Sequence, residues 1–179
     1  LESVGYKILK PLKNKKFISS LKSDRLPLIV DGNLKSDLLN NLAADSFYEK
    51  FDLKLVPASP GKASRLTPFI TKENVTLYLN LSEAQILCGI NFSDTVSAAI
   101  ELINYGAGKV IITNGQNKVS MASRATGVLS VTPPKIKVKR LTGAGDAFLA
   151  AHVKAEMLKY DPEQCLEIAV EKSVKYISE

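Results

Sequence analysis

The chain has 179 residues, 45% hydrophobic and 23% charged, with a formal net charge of +6; that is enough chain for one domain with a sizeable core, and too apolar for intrinsic disorder. No apolar run is long enough to span a membrane, and Leu1-Glu2-Ser3-Val4 carries neither an initiator Met nor a signal-peptide pattern, so the chain reads as a segment cut from a longer one. Cys88 and Cys165 lie far apart without Cys or His neighbours at ligand spacing, which suggests neither a zinc site nor a disulfide framework and fits a cytoplasmic protein in a reducing cytosol.

Much of the basic excess sits in residues 7–22 and 135–140. Residues 11–24 are expected to form a basic amphipathic helix with Phe17, Ile18 and Leu21 inward, its lysines forming a solvated face. No nucleic-acid-binding motif accompanies the charge, so neither nucleic acid nor membrane is an expected partner. Leu28-Ile29-Val30 is a continuous apolar run, as expected of a strand buried on both faces, and it ends in Asp31-Gly32-Asn33. Leu38, Leu39, Leu42 and Phe47 give residues 34–51 helical spacing. Leu53-Lys54-Leu55-Val56 is the next strand, closed by the loop Pro57-Ala58-Ser59-Pro60-Gly61.

Residues 75–79 are a third strand, leading into Asn80-Leu81-Ser82-Glu83, where Ser82 is the expected cap of a short helix through Gly89. Residues 92–105 predict a helix whose inward stripe is Val96, Ala99, Ile100 and Ile103, stopped by Gly106. Val110-Ile111-Ile112-Thr113 is the most β-rich run and ends in Asn114-Gly115. Residues 118–122 and 127–131 read as an antiparallel pair at one edge of the sheet. Beyond residue 160, Asp161-Pro162-Glu163-Gln164 is a strong helix start, and Cys165, Leu166, Ala169, Val170, Val174 and Ile177 form the inner face of that helix.

The alternation of strands and helices predicts an α/β fold, a three-layer α/β/α Rossmann-like sheet of parallel β-α-β units covered on both sides. Ligands of such sheets bind beyond the carboxyl ends of the strands. The polar residues cluster there: Asp31 and Asn33 after the first strand, Ser59 and Lys62 after the second, Asn80 and Glu83 after the third, Thr113, Asn114 and Gly115 after the fourth. The stretch Leu141-Thr142-Gly143-Ala144-Gly145-Asp146-Ala147-Phe148 then passes from an extended segment into a helix whose apolar spacing runs through Phe148, Leu149, Val153, Met157 and Leu158. A glycine-rich helix N-terminus offers unpaired N–H groups and a positive dipole end to an anion, most often a phosphate. Asp146 would repel a resting phosphate, so its place in the first turn suggests that it takes a proton from an attacking hydroxyl. Gly106-Ala107-Gly108, with the same three residues, follows a helix and precedes a strand, and is a plain stop and turn. His152 is expected to pack rather than to catalyse.

These residues resemble the pfkB-type carbohydrate kinases of the ribokinase-like fold. Thr142 to Phe148 is similar to the family's C-terminal signature, Asn80 to Glu83 to its Asn-x-x-Glu motif, and residues 110–115 to its nucleotide-carrying strand and turn. Within the family, Asp31-Gly32-Asn33-Leu34 and Pro57 to Ala63 resemble the pseudouridine kinases, which in fungi are fused behind a glycosidase. The resemblance implies a kinase using ATP and Mg²⁺. It makes Asp146 the base, the amides of Gly143, Ala144 and Gly145 an anion hole, and Thr113, Asn114, Gly115 and Thr142 the nucleotide side. Asn80 and Glu83 would organise Mg²⁺ through waters, with Asp31, Asn33 and Lys62 toward a sugar or nucleoside substrate. It also implies that residues 1–179 are the C-terminal part of one kinase domain lacking its N-terminal half, with that half and a fused glycosidase as partners. The isolated fragment would then be inactive, and an open sheet edge would favour homo-oligomers. The sequence departs from the pseudouridine-kinase pattern at Val56, Pro57 and Ala58. Those departures keep open a second reading, a degenerate non-catalytic kinase domain that binds nucleotide or a partner domain. A dinucleotide-binding oxidoreductase is weak, because Phe148 occupies the third glycine's place in the fingerprint.

Overall fold

The computed structural model describes residues 26–179, and the basic helix expected over residues 11–24 lies outside them. Six strands form one sheet in the order β1-β2-β3-β4-β5-β6: Pro27–Asp31, Asp52–Val56, Val75–Asn80, Lys109–Thr113, Val119–Ser123 and Gly127–Val131. The first four are parallel and the last two antiparallel, so the predicted edge hairpin is present. Helices α1 (Ser36–Ala44), α2 (Leu81–Cys88) and α3 (Thr95–Asn104) cover one face, and α4 (Ala144–Met157) and α5 (Pro162–Ser178) the other.

Side-chain alternation builds two cores from single strands. In β3 Leu77 and Leu79 face the α1–α3 side while Tyr78 faces α4 and α5; in β4 Val110 and Ile112 oppose Ile111 in the same way. Among the described residues β1 is an edge strand, so Ile29 is half exposed and the run Leu28-Ile29-Val30 is not buried on both faces as expected. Among the described residues, no helix is long and apolar enough to cross a membrane.

Four further local expectations change. The helix of residues 34–51 breaks after Ala44, because Asp45 turns outward and its side chain accepts from the Phe47 amide, starting a separate 3-10 helix, Ser46–Lys50. Residues beyond the Pro57–Gly61 loop coil into 3-10 turns, Pro60–Phe69, burying Ala63, Leu66 and Phe69. Helix α3 buries Thr95, Ala98, Ala99 and Leu102 and leaves Ile100 exposed, so its inward stripe is turned by one residue from the predicted one. Helix α4 likewise buries Phe148, Leu149 and Val153, but Met157 and Leu158, at its C-terminal end, are exposed. The start of α5 is as read: Asp161 accepts from the Gln164 amide at 2.9 Å, and Gln164 reaches back.

Candidate active site

The carboxyl ends of β1 to β4 and the N-terminus of α4 enclose a cleft of about 380 Å³. Asp31, Asn33, Asn80, Glu83, Thr113 and Asp146 reach it over an apolar floor that includes Val56, Tyr78 and Phe148. Among the described residues its lining holds three carboxylates and no Lys or Arg. At Thr113, Gly145 and Phe148 the cleft continues into a more apolar slot of about 200 Å³, walled by Pro134, Ile136 and Val174 among others.

Gly143 caps α4 in a left-handed conformation, φ 87°. The Ala144 amide closes a turn onto the Leu141 carbonyl at 3.2 Å, whereas the amides of Gly145 and Asp146 have no partner among the described residues. Two adjacent free N–H groups therefore point out of the positive end of the helix. The Asp146 carboxylate is exposed and also has no partner among the described residues. The loop before α4 is held by α5, which sequence reasoning missed. The Ser173 hydroxyl donates to the Ala144 carbonyl at 3.0 Å, Arg140 Nε donates to the Tyr176 carbonyl at 2.9 Å, and the Arg140 guanidinium stacks on the Tyr176 ring. The visible signal was Arg140 beside the motif; its partner lies 36 residues away.

Asn80, not Ser82, caps α2, in a box with Glu83: Asn80 Oδ1 accepts from the Glu83 amide at 2.9 Å and Glu83 Oε2 from the Asn80 amide at 2.8 Å. The cap wins because Asn80 is the last strand residue and Glu83 then falls three positions on. Burial raises the Glu83 carboxyl above its usual value, and the Asn80 amide pulls it back. Among the described residues one carboxylate oxygen of Glu83 and the Asn80 side-chain nitrogen stay uncommitted. Among the described residues no three His, Cys, Asp or Glu side chains form a metal cluster.

At the far rim, Asp31 accepts from the Asn33 backbone at 2.7 Å and its side chain at 3.1 Å, and Lys62 Nζ donates to Asn33 Oδ1 at 2.5 Å. Lys62 thus holds Asn33 and does not itself line the cleft. Thr113 Oγ1 lies 3.5 Å from the Leu79 carbonyl, and Gly115 takes φ 56° at the mouth of the slot. Asn114 accepts in that turn from the Asn117 amide, and neither Asn114 nor Thr142 lines a cavity described here. Ala58, at φ 65°, is a rare left-handed alanine, and it sits in the cleft wall.

A polar chain lies beneath the cleft. His152 is buried, with Nδ1 2.8 Å from the Tyr78 hydroxyl, and its ring stacks on Phe148. Glu156 takes Lys54 Nζ at 2.6 Å and Lys109 Nζ at 2.7 Å, and Lys54 also meets Asp52 at 2.9 Å and Thr76 at 3.2 Å. Burial, set against Glu156, holds the imidazole down to about 4 from 6.5. It is therefore neutral at pH 7, and its 3.6 Å approach to Glu156 is not an ion pair there. Burial alone would raise Glu156, but Lys54 and the other nearby charges bring it down to about 2.

Both groups make the fold acid-sensitive. The folded state binds fewer protons than the unfolded chain, between about 6.5 and 4 for His152 and between about 4.5 and 2 for Glu156. Their contribution is complete at neutral pH and is lost on acidification. Between pH 7 and 4.5 the His152 share is on the order of 2–3 kcal/mol. Thermal melts at the two pH values should show the loss, and His152→Gln should flatten it; an unchanged slope in that variant would assign the acid loss elsewhere.

A family model described as pfkB family carbohydrate kinase matches residues 10–177. A search of the curated proteins returns no match. The fold superimposes on a carbohydrate kinase from Agrobacterium tumefaciens at 25% identity and TM-score 0.69, covering 92% of this chain and 51% of that one. Trypanosoma brucei brucei adenosine kinase aligns at 14% identity and TM-score 0.76, covering 95% and 56%. Phosphofructokinase-2 from Escherichia coli aligns at 17% and 0.73, covering 90% and 54%. The chain thus spans about half the length of these solved structures.

Proposed function

The chain belongs to the pfkB family of carbohydrate kinases and has the ribokinase-like α/β fold, and from that premise we propose that it is the nucleotide-binding and catalytic face of an ATP-dependent kinase acting on a sugar or nucleoside hydroxyl. The observation that carries this reading is the meeting, at one helix N-terminus, of two free amides and an unpartnered carboxylate, in a cleft continuous with an apolar slot.

In this reading the base of the nucleotide lies in the slot, with Thr113 and Gly115 along it and Asn114 shaping the turn that carries Gly115. The transferring phosphoryl group meets the amides of Gly145 and Asp146, with Gly143 turning the backbone so that they point outward. Donors aimed at developing charge, rather than covalent steps, supply most of the catalysis of such a transfer. Asn80 and Glu83 would hold the waters of a Mg²⁺ that arrives with ATP as part of the substrate and would supply neutralisation of phosphate charge. The Asp146 carboxylate accepts the proton of the acceptor hydroxyl as its oxygen attacks the γ-phosphorus and the bond from that phosphorus to ADP breaks, ADP leaving. Asp31 and Asn33, the latter held by Lys62, bind hydroxyls of the acceptor. Pseudouridine, through its 5′-hydroxyl, is the acceptor we propose, on the likeness of the Asp31–Leu34 and Pro57–Ala63 stretches to pseudouridine kinases. The chain would be the C-terminal part of one kinase domain, completed by a further segment.

One observation favours the alternative of a non-catalytic nucleotide-binding domain. Val56, Pro57 and Ala58, in the cleft wall, offer no side chain that hydrogen-bonds an acceptor. The test is ADP release by the full-length protein with ATP, Mg²⁺ and pseudouridine, ribose or adenosine. Turnover on pseudouridine supports the proposal. Turnover only on another acceptor replaces the substrate, and no turnover with a nucleotide-dependent melting shift selects the non-catalytic reading.

A further inference from the structure

Phe148, His152 and Glu156 lie at i, i+4 and i+8 on α4, one stripe facing the sheet. Phe148 lines the cleft. Eight residues on, Glu156 lies about 12 Å farther along the helix axis, toward the amino ends of the strands. Each polar member of the stripe is tied to a different strand: His152 to Tyr78 of β3, and Glu156 to Lys54 of β2 and Lys109 of β4. Three adjacent parallel strands therefore grip the helix that carries Asp146. Leu149 and Val153 of the helix belong to the same apolar cluster as Ile111 and Met121 of the sheet. Apolar packing is non-directional and lets a helix slide or roll by fractions of an ångström, whereas hydrogen bonds at 2.6–2.8 Å fix both axial position and roll.

The network is costly for a purely structural device. Lys54 is 1% exposed, and His152 Nε2 is buried without a partner among the described residues. Well-packed apolar residues often stabilise a core more than a buried ion pair does, and polar groups kept in their place can serve positional specificity. Tyr78 has a second property: it lines the cleft, one strand away from the end of β4, and sits two residues before Asn80 on the same strand. Its bond to His152 therefore ties the strand leading to Asn80 and Glu83 to the helix bearing Asp146.

We propose that Tyr78, His152 and Glu156 are positioning residues that set the register of α4 on the sheet and hence the distance from Asp146 to the transferring phosphoryl group. This rests on the kinase reading above. Displacements on the order of 1 Å at a reacting centre cost up to about a hundredfold in rate. Tyr78→Phe removes one oxygen and no packing. Glu156→Gln keeps the volume at the far end of the helix, away from any cleft residue.

Steady-state kinetics of the full-length protein, below the melting temperature of each variant, should show kcat lowered roughly tenfold in both. KM for ATP and for the acceptor should stay within about twofold, because neither variant removes a ligand contact required by the proposal. Tyr78→Phe and His152→Gln should be non-additive, since both break one hydrogen bond. If Glu156→Gln does not fold, the Tyr78–His152 cycle decides alone. Variants that only melt earlier, with kcat within twofold of the parent, overturn the proposal, as does a loss confined to KM. A parent with no turnover on any acceptor overturns the kinase reading and this inference together, whereas an active parent with unaffected variants overturns only the inference.

Discussion

Asp146→Asn lowers kcat for phosphoryl transfer by about two to four orders of magnitude, the usual contribution of a positioned general base. The exchange is nearly isosteric and touches no hydrogen bond among the described residues, because the carboxylate has no partner there. What it removes is the proton acceptor. The two free amides beside it stay in place, so ATP affinity should hold within a few-fold. The fold loses only a favourable charge at a helix N-terminus, worth about 0.3–1 kcal/mol. Kinetics with ATP titrated at saturating acceptor separate the two effects. Retention of kcat within threefold would place the base elsewhere.

Gly32→Ala is the substitution with the largest expected effect on stability near the cleft. A Cβ on Gly32 would lie 2.3 Å from the Pro57 carbonyl oxygen, a backbone atom that cannot swing aside. The Gly32 amide donates to the Val56 carbonyl at 2.8 Å, so the ends of β1 and β2 are clamped at that spacing. Overpacking of this kind costs about 1–3 kcal/mol, which in a chain of this size lowers the melting temperature by roughly 2–12 °C. The cleft rim must also open, because Asp31 and Asn33 flank the glycine, so KM for the acceptor should rise. Gly61→Ala is the control, since its Cβ would meet nothing within 4 Å. Equal melting temperatures for the two variants would mean that the strand ends spread without cost.

Much of this arrangement was visible in the order of residues. The four parallel strands were legible as short, mainly apolar runs, because a strand covered on its faces is built largely of apolar residues; Lys54 and Thr76, buried inside β2 and β3, are the exceptions. The α5 cap and the glycine-led start of α4 were legible because caps are decided within four residues. Errors arose where the local code is ambiguous. The inward stripe of α3 could be drawn through Ile100 or through Leu102, and only the sheet beneath it selects the second. Pro60, Gly61 and Pro68 hid the 3-10 turns, since they break every regular period. Asn80 and Ser82 are both good caps, and the end of β3 chose between them.

By itself the sequence determined the alternation of strand and helix, the two faces of the sheet and the residues that gather at its carboxyl end. These follow from periodicity and turn chemistry, which act over a few residues. The tertiary structure alone decided which amides of the motif stay open, and that Ser173 and Tyr176 of α5 hold the loop in place. It also decided that Lys54, which meets Asp52 two residues away on its own strand, takes a second carboxylate 102 residues later in Glu156. Such pairings have no local signal: a buried charge requires a partner, but the chain names that partner only when it folds.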